Sequence, residues 1–235
     1  MKEKCINEQS VASRVLYEDN HVIIVNKLPC EIVQSDKSGD NPLEEKVKSY
    51  IKEKYQKPGK VFLGVVHRLD RPVSGALLFA RTSKALTRLN AMLQEHLINK
   101  TYWAVVGEKP LDEEGTLKHY LVRNETKNKS YVNAEPTAKS KEAILDYKLI
   151  KASDKYYLLE ILLHTGRHHQ IRAQLASIGS PIKGDLKYGY ARSNKDASIH
   201  LHAISLSFIH PVSNELISVT AQPPDDVLWN YFYKQ

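Results

Sequence analysis

The chain has 235 residues, 42% of them hydrophobic and 26% charged, which gives room for a sizeable core in one large domain or two small ones. An excess of 34 Lys and Arg over 27 Asp and Glu gives a net charge of +7, compatible with a polyanionic partner but shared by many proteins that have none. No apolar stretch approaches membrane-spanning length, the start from Met1 to Ser13 lacks an apolar leader, and Cys5 and Cys30 are too few for a disulfide framework. The expectation is a soluble cytoplasmic monomer with no membrane partner.

Residues 1–14 read as a tail. Val15–Tyr17 and Val22–Val25 flank Glu18-Asp19-Asn20, the signature of a hairpin, which leads into Asn26-Lys27-Leu28-Pro29. Asp40-Asn41-Pro42 supplies a cap residue and a first-turn proline for a helix carrying Leu43, Val47, Tyr50, Ile51 and Tyr55, stopped by Pro58-Gly59. Val65-Val66-His67-Arg68-Leu69-Asp70-Arg71-Pro72-Val73-Ser74-Gly75 then runs from one apolar segment through a Pro/Gly turn into another, Ala76–Ala80. Thr82 or Ser83 caps a second helix with the stripe Leu86, Leu89, Leu93 and Leu97, while Lys84, Arg88 and Asn90 face water. Tyr102–Val106 and Tyr157–Leu163 read as strands.

Between those strands, residues 110–141 lose apolar periodicity and carry Lys118, Arg123, Lys127, Lys129, Lys139 and Lys141, with Tyr120 and Tyr131 among them. Such a segment is either a solvated excursion or long hairpin, or a basic finger that lies on an RNA backbone. It has too few apolar residues to form a domain of its own. Farther on, a strand gives way at Thr165-Gly166 to a helix with Ile171, Leu175 and Ile178, closed by Gly179. Arg167, His168 and Arg172 fall in or beside its first turns, where backbone N–H groups favour anions.

Asp70 is held on a loop between two apolar runs and flanked by Arg68 and Arg71. Two cations favour the ionised carboxylate, which suits a nucleophile; the alternative is a turn aspartate in a surface ion pair. His164, His168 and His169 cluster, but the break at Gly166 spoils the helical spacing a metal pair needs, so no metal is expected. No G-x-S-x-G element, phosphate-binding loop or dinucleotide glycine pattern occurs, which argues against a serine hydrolase and against a nucleotide cofactor.

His67-Arg68-Leu69-Asp70 with Ser74-Gly75 resembles the catalytic signature of the RluA-type RNA pseudouridine synthases. Three further segments match in order: Lys100-Thr101-Tyr102, Gly166-Arg167-His168-His169-Gln170-Ile171-Arg172, and Gly179-Ser180-Pro181-Ile182-Lys183-Gly184-Asp185. The similarity spans about Val15 to Pro223. It implies that Asp70 is the catalytic aspartate, that Tyr102 packs on the uracil, and that Arg172 pairs with Asp70, Arg167 being the other candidate. It also implies that Arg68 enters the RNA stack as the target base leaves. Arg71, Arg167, His168, Lys118 and Arg123 complete the expected RNA-binding set. Val73 departs from the threonine common in the family, which removes a loop hydroxyl.

The resemblance further implies a mixed α+β catalytic domain over 15–235, with a large, mostly antiparallel, bifurcated sheet, flanking helices and a central active-site cleft. The partner is ribosomal or transfer RNA, and no cofactor is required, because the reaction involves neither redox change nor phosphoryl transfer. With about fourteen residues before the first strand, no S4-type RNA-binding domain is expected. Two other functions compete: a non-catalytic RNA-binding protein on the same fold, and an Asp70-dependent nucleoside or glycoside hydrolase, which would want a second carboxylate.

Overall fold

The computed structural model describes residues 9–233; Cys5 and residues 1–8 of the expected tail lie outside the described residues. The chain divides into two compact units, one made of the chain up to Asn99 with Ala203–Asp225, the other of Lys100–His202 with the chain from Asp226.

The first unit opens with the expected hairpin, β1 (Val15–Glu18) against β2 (Val22–Lys27), its turn fixed by the Asp19 carboxylate, which accepts the N–H groups of His21 and Val22 at 2.7 Å. After α1 (Leu43–Lys54) come the two-residue β3 (Gly64–Val65), β4 (Ser74–Ala80) and α2 (Ser83–Gln94). β2 pairs antiparallel with β4, and β3 also pairs with β4. β10 (Leu201–Ile209), whose first two residues belong to the second unit, lies next to β4 and pairs antiparallel with β11 (Leu216–Thr220). Val22, Ile24, Ala76, Leu78, Leu89, Leu206 and Phe208 form the core beneath α2. β4 is buried on both faces, which explains its unbroken apolar text. Gly75 has φ +120°, and a Cβ there would stand 2.4 Å from the Ala203 N and O atoms, so only glycine lets β10 approach.

Two helix ends differ from expectation. Asp40 does not cap α1: Pro42 occupies the cap position, and the first free N–H groups, those of Leu43 and Glu44, donate to the Ile32 and Val33 carbonyls at 2.8 and 3.2 Å. Backbone from a distant turn satisfies the helix end, and the Asp40 carboxylate is left to pair with Arg71. Leu97 does not extend the α2 stripe. His96 turns left-handed (φ 58°), and the Leu97 N–H closes on the Met92 carbonyl at 2.8 Å, ending the helix. Leu97 is 53% exposed, and Ile98 takes the buried place. Thr82 caps α2 as read, accepting the Ala85 N–H at 3.1 Å.

The second unit holds an antiparallel sheet in the order β5-β9-β8-β6-β7, formed by β5 (Asn99–Val106), β6 (Glu114–Asn124), β7 (Lys129–Asn133), β8 (Lys141–Ala152) and β9 (Tyr157–Leu163). The polar 110–141 segment is therefore a long hairpin, β6–β7. It borrows a core: Leu121 and Val132 pack with Ala143, Tyr188, and Ala173 and Ala176 of α3 (Gln170–Ser177). α4 (Val227–Tyr233) packs Trp229 and Phe232 on Val105 and Leu158. His200 and His202, read as facing one side, both lie against the Trp229 ring, at 5.2 and 5.9 Å. No helix of the described residues is long and apolar enough to cross a membrane.

Candidate active site

In the first unit, the loop between β3 and β4 presents Asp70, half-buried, between exposed Arg68 and Arg71. The loop is held from beneath by Lys27. Its side chain is fully buried at the end of β2, and its amine donates to the carbonyls of Leu28 at 3.0 Å, Asp70 at 3.3 Å, Arg71 at 3.2 Å and Val73 at 2.6 Å. Burial pushes the amine down to about 7, against the pull of Glu31 and Asp70. The Asp70 carbonyl also accepts the Val73 N–H at 3.0 Å, and the Cys30 N–H donates to the Arg71 carbonyl at 2.8 Å. His67 accepts the Leu78 N–H on Nε2 at 3.2 Å, so that nitrogen carries no proton there. Arg71 turns its guanidinium to Asp40.

The segment carrying Lys27 is braced in turn. Arg14 forks onto Glu31 at 2.8 and 3.2 Å and reaches the Asn26 carbonyl, and Lys46 meets the same carboxylate at 2.9 Å. Burial alone would raise the Glu31 carboxyl, but the hydrogen bonds and charges of Arg14 and Lys46 outweigh it and hold it below the usual range. Composition gave no sign of Lys27's position. What signal there was is its place after Val22–Val25, where the buried run continues past the apolar text.

In the second unit, Tyr102 is buried on β5 opposite Ile161. Arg172, on α3, forks onto Asp185 through Nε at 2.6 Å and Nη2 at 2.9 Å; both side chains are almost wholly buried. The guanidinium also lies 5.0 Å from the centre of the Tyr188 ring. Arg172 is thus gripped by a carboxylate on the turn that the fourth sequence motif supplies and by an aromatic face that no motif suggested. The Tyr188 hydroxyl accepts the Ser130 N–H at 2.8 Å and meets His169 Nδ1 at 2.9 Å, which ties β7 to the start of α3.

The entry to α3 is shaped by Gln170. Its Oε1 accepts the Thr165 hydroxyl at 2.8 Å and the Arg167 N–H at 2.9 Å, and its amide donates to the Ile144 carbonyl at 3.1 Å. His169 adopts the left-handed conformation to make the turn (φ 54°). The three clustered histidines have separate partners: His164 meets Asp146 at 2.6 Å, His168 meets Ser130 and Asn128, and His169 meets Tyr188. Among the described residues, no group of three His, Cys, Asp or Glu side chains is placed to hold a metal. Of the expected RNA-binding residues in this unit, Arg167 is exposed with Nε on the Glu142 carbonyl at 2.8 Å. Lys118 is exposed and paired with Glu142 at 3.0 Å, and Arg123 is exposed on β6.

Residues 21–177 match the family model described as RNA pseudouridylate synthase. The chain is 32% identical over 230 residues to the ribosomal large subunit pseudouridine synthase D of Zymomonas mobilis, covering 93% of this chain and 72% of that protein. It is 35% identical over 215 residues to the ribosomal large subunit pseudouridine synthase C of Buchnera aphidicola, covering 88% of this chain and 66% of that protein. In fold it is similar to human RNA pseudouridylate synthase domain containing 4, with a TM-score of 0.80 at 18% identity over 94% of this chain and 93% of that one. A mixed α+β chain that matches along most of its length belongs to the RluA-type RNA pseudouridine synthase family, isomerases that act on uridine in RNA.

Proposed function

We propose that this protein converts uridine in ribosomal RNA to pseudouridine, with Asp70 acting directly on the ribose. The N1–C1′ bond breaks, the base turns, C5 bonds to C1′, and the C5 proton is lost as N1 gains one. Asp70 serves either by bonding to C1′ or by taking the C2′ proton. Positive character at the sugar in either route favours an ionised carboxylate held in place before the reaction. The observation that carries this reading is the Lys27 amine, which ties down the backbone of Asp70, Arg71 and Val73. A surface aspartate in a casual ion pair needs no such support.

Tyr102 stacks on the detached base, Arg172 supplies a cation to the reaction, and exposed Arg68 fills the gap left in the RNA stack. Lys118, Arg123, Arg167 and His168 meet the RNA backbone from the second unit. Ribosomal RNA is favoured over transfer RNA because relatives at 32 and 35% identity carry ribosomal names. Asp70→Asn keeps the size of the side chain and removes its charge. It should abolish isomerisation while RNA affinity stays within a few-fold of wild type, and a fully active variant would refute the mechanism. Carbodiimide mapping of total RNA from cells with and without the gene names the substrate. The site should vanish on deletion and return with wild type but not with Asp70→Asn.

A further inference from the structure

Lys100 begins the Lys100-Thr101-Tyr102 motif on β5, and nothing above gives it a task. Two residues before Tyr102, it leaves the same face of the strand, about 7 Å along it. Burial alone pushes its amine below the ordinary lysine value, and no carboxylate offsets the lost water. Its ammonium has no hydrogen-bond or ion-pair partner among the described residues. It lies beside Gly166, where an added Cβ would stand 4.0 Å from the amine.

Other shielded lysines of the chain are served. Lys27 has four carbonyls, Lys151 donates to the Phe232 carbonyl at 2.8 Å, and Lys183 to Asn194 at 2.8 Å. Three carboxylates of the second unit are engaged elsewhere: Asp146 with His164 and Thr116, Glu142 with Lys118, Asp185 with Arg172. A half-dehydrated cation without an internal counter-charge is unfavourable in the free protein, and the binding of an anion relieves it.

We propose that the Lys100 ammonium binds a backbone phosphate of the RNA next to the uridine that Tyr102 receives. This site rests on the functional reading above. A phosphate fits because every nucleotide brings one, and because an oxyanion satisfies a charge that a neutral base edge would leave uncompensated. Gly166 leaves the approach to the amine open, since it carries no side chain.

The test compares wild type, Lys100→Met and Lys100→Arg in binding to an unmodified large-subunit ribosomal RNA transcript, across roughly 50 to 200 mM salt. Lys100→Met should bind about 10- to 100-fold more weakly at the low-salt end. Its plot of log affinity against log salt should be shallower by about 0.7 to 0.9, the share of one phosphate. Its melting temperature should equal or exceed that of wild type, because a half-buried charge has gone. Lys100→Arg should restore the slope. An unchanged slope for Lys100→Met, at any affinity or melting temperature, overturns the proposal. Asp70→Asn is assayed for isomerisation alongside. If it isomerises like wild type, the functional reading fails whatever Lys100 does; if it is inactive and the slope is unchanged, the phosphate site alone fails.

Discussion

Lys27→Met keeps the length of a fully buried side chain and removes its donors. The carbonyls of Asp70 and Arg71 each keep one other partner, the N–H groups of Val73 and Cys30, so the loss falls mainly on Leu28 and Val73. At about 1–3 kcal/mol for each buried acceptor left unmet, the substitution destabilises by about 2–6 kcal/mol. The opposing contribution is the burial that lowers the amine from 10.5 to about 7. Carrying that charge at pH 7 opposes folding by about 4 kcal/mol, which the methionine does not incur. The variant should therefore lie within about 2 kcal/mol of wild type at neutral pH and fold. Its isomerisation rate should nevertheless fall on the order of 100-fold, because the backbone of Asp70 and Arg71 loses its anchor and displacements near 1 Å carry losses of that size.

The pH dependence has a definite sign. In the folded protein Lys27 loses its proton near 7; in the unfolded chain it does so near 10.4. Across that window the unfolded chain binds more protons, so this group makes wild type more stable as pH rises, by up to about 1.4 kcal/mol per pH unit. Lys27→Met lacks the contribution, and between pH 7 and 9.5 the balance should move about 3 kcal/mol toward wild type. Urea denaturation at the two pH values, with single-turnover isomerisation on the same preparations, measures both effects. A folded Lys27→Met with the wild-type rate would refute the anchoring role, and a stability difference that ignores pH would refute the titration.

Asp185→Asn breaks one partner out of a buried pair and should destabilise by about 3–5 kcal/mol, a fall of roughly 10 °C in melting temperature. A smaller drop in calorimetry would mean that the other contacts of Arg172 suffice to hold it. Gly75→Ala forces a Cβ to within 2.4 Å of the Ala203 backbone at a φ of +120°. It should abolish soluble, folded protein as judged by yield and circular dichroism, and a wild-type melting temperature would show that the two strands have room to separate.

The elements were legible where local chemistry decides them. The β1–β2 hairpin follows from Asp19 bonding its own turn, and the start of α2 from Thr82 capping Ala85. The polar text of 110–141 gave the hairpin as one of its options, but not the packing of Leu121 and Val132 on α3, because those contacts join segments some fifty residues apart. The misread helix ends have nearer causes. Asp40 is a good cap residue in isolation, yet the Ile32 and Val33 carbonyls reach the helix first. Leu97 keeps the helical spacing, yet His96 has already turned the chain.

The two lysines show most clearly what a linear reading leaves out. Lys27 follows a strand's apolar run and Lys100 precedes one, and nothing in their spacing distinguishes the two. Fold geometry separates them. The Asp70, Arg71 and Val73 carbonyls arrive from 43 to 46 residues away to surround Lys27, so its charge is consumed in holding a loop. Among the described residues no acceptor arrives for Lys100, so its charge stays available to a ligand. A buried cation with its acceptors in place is a structural device, whereas a half-buried one without them is a binding site awaiting its anion. The salt dependence of the Lys100 variants, set against the pH dependence of Lys27→Met, tests that distinction from both sides.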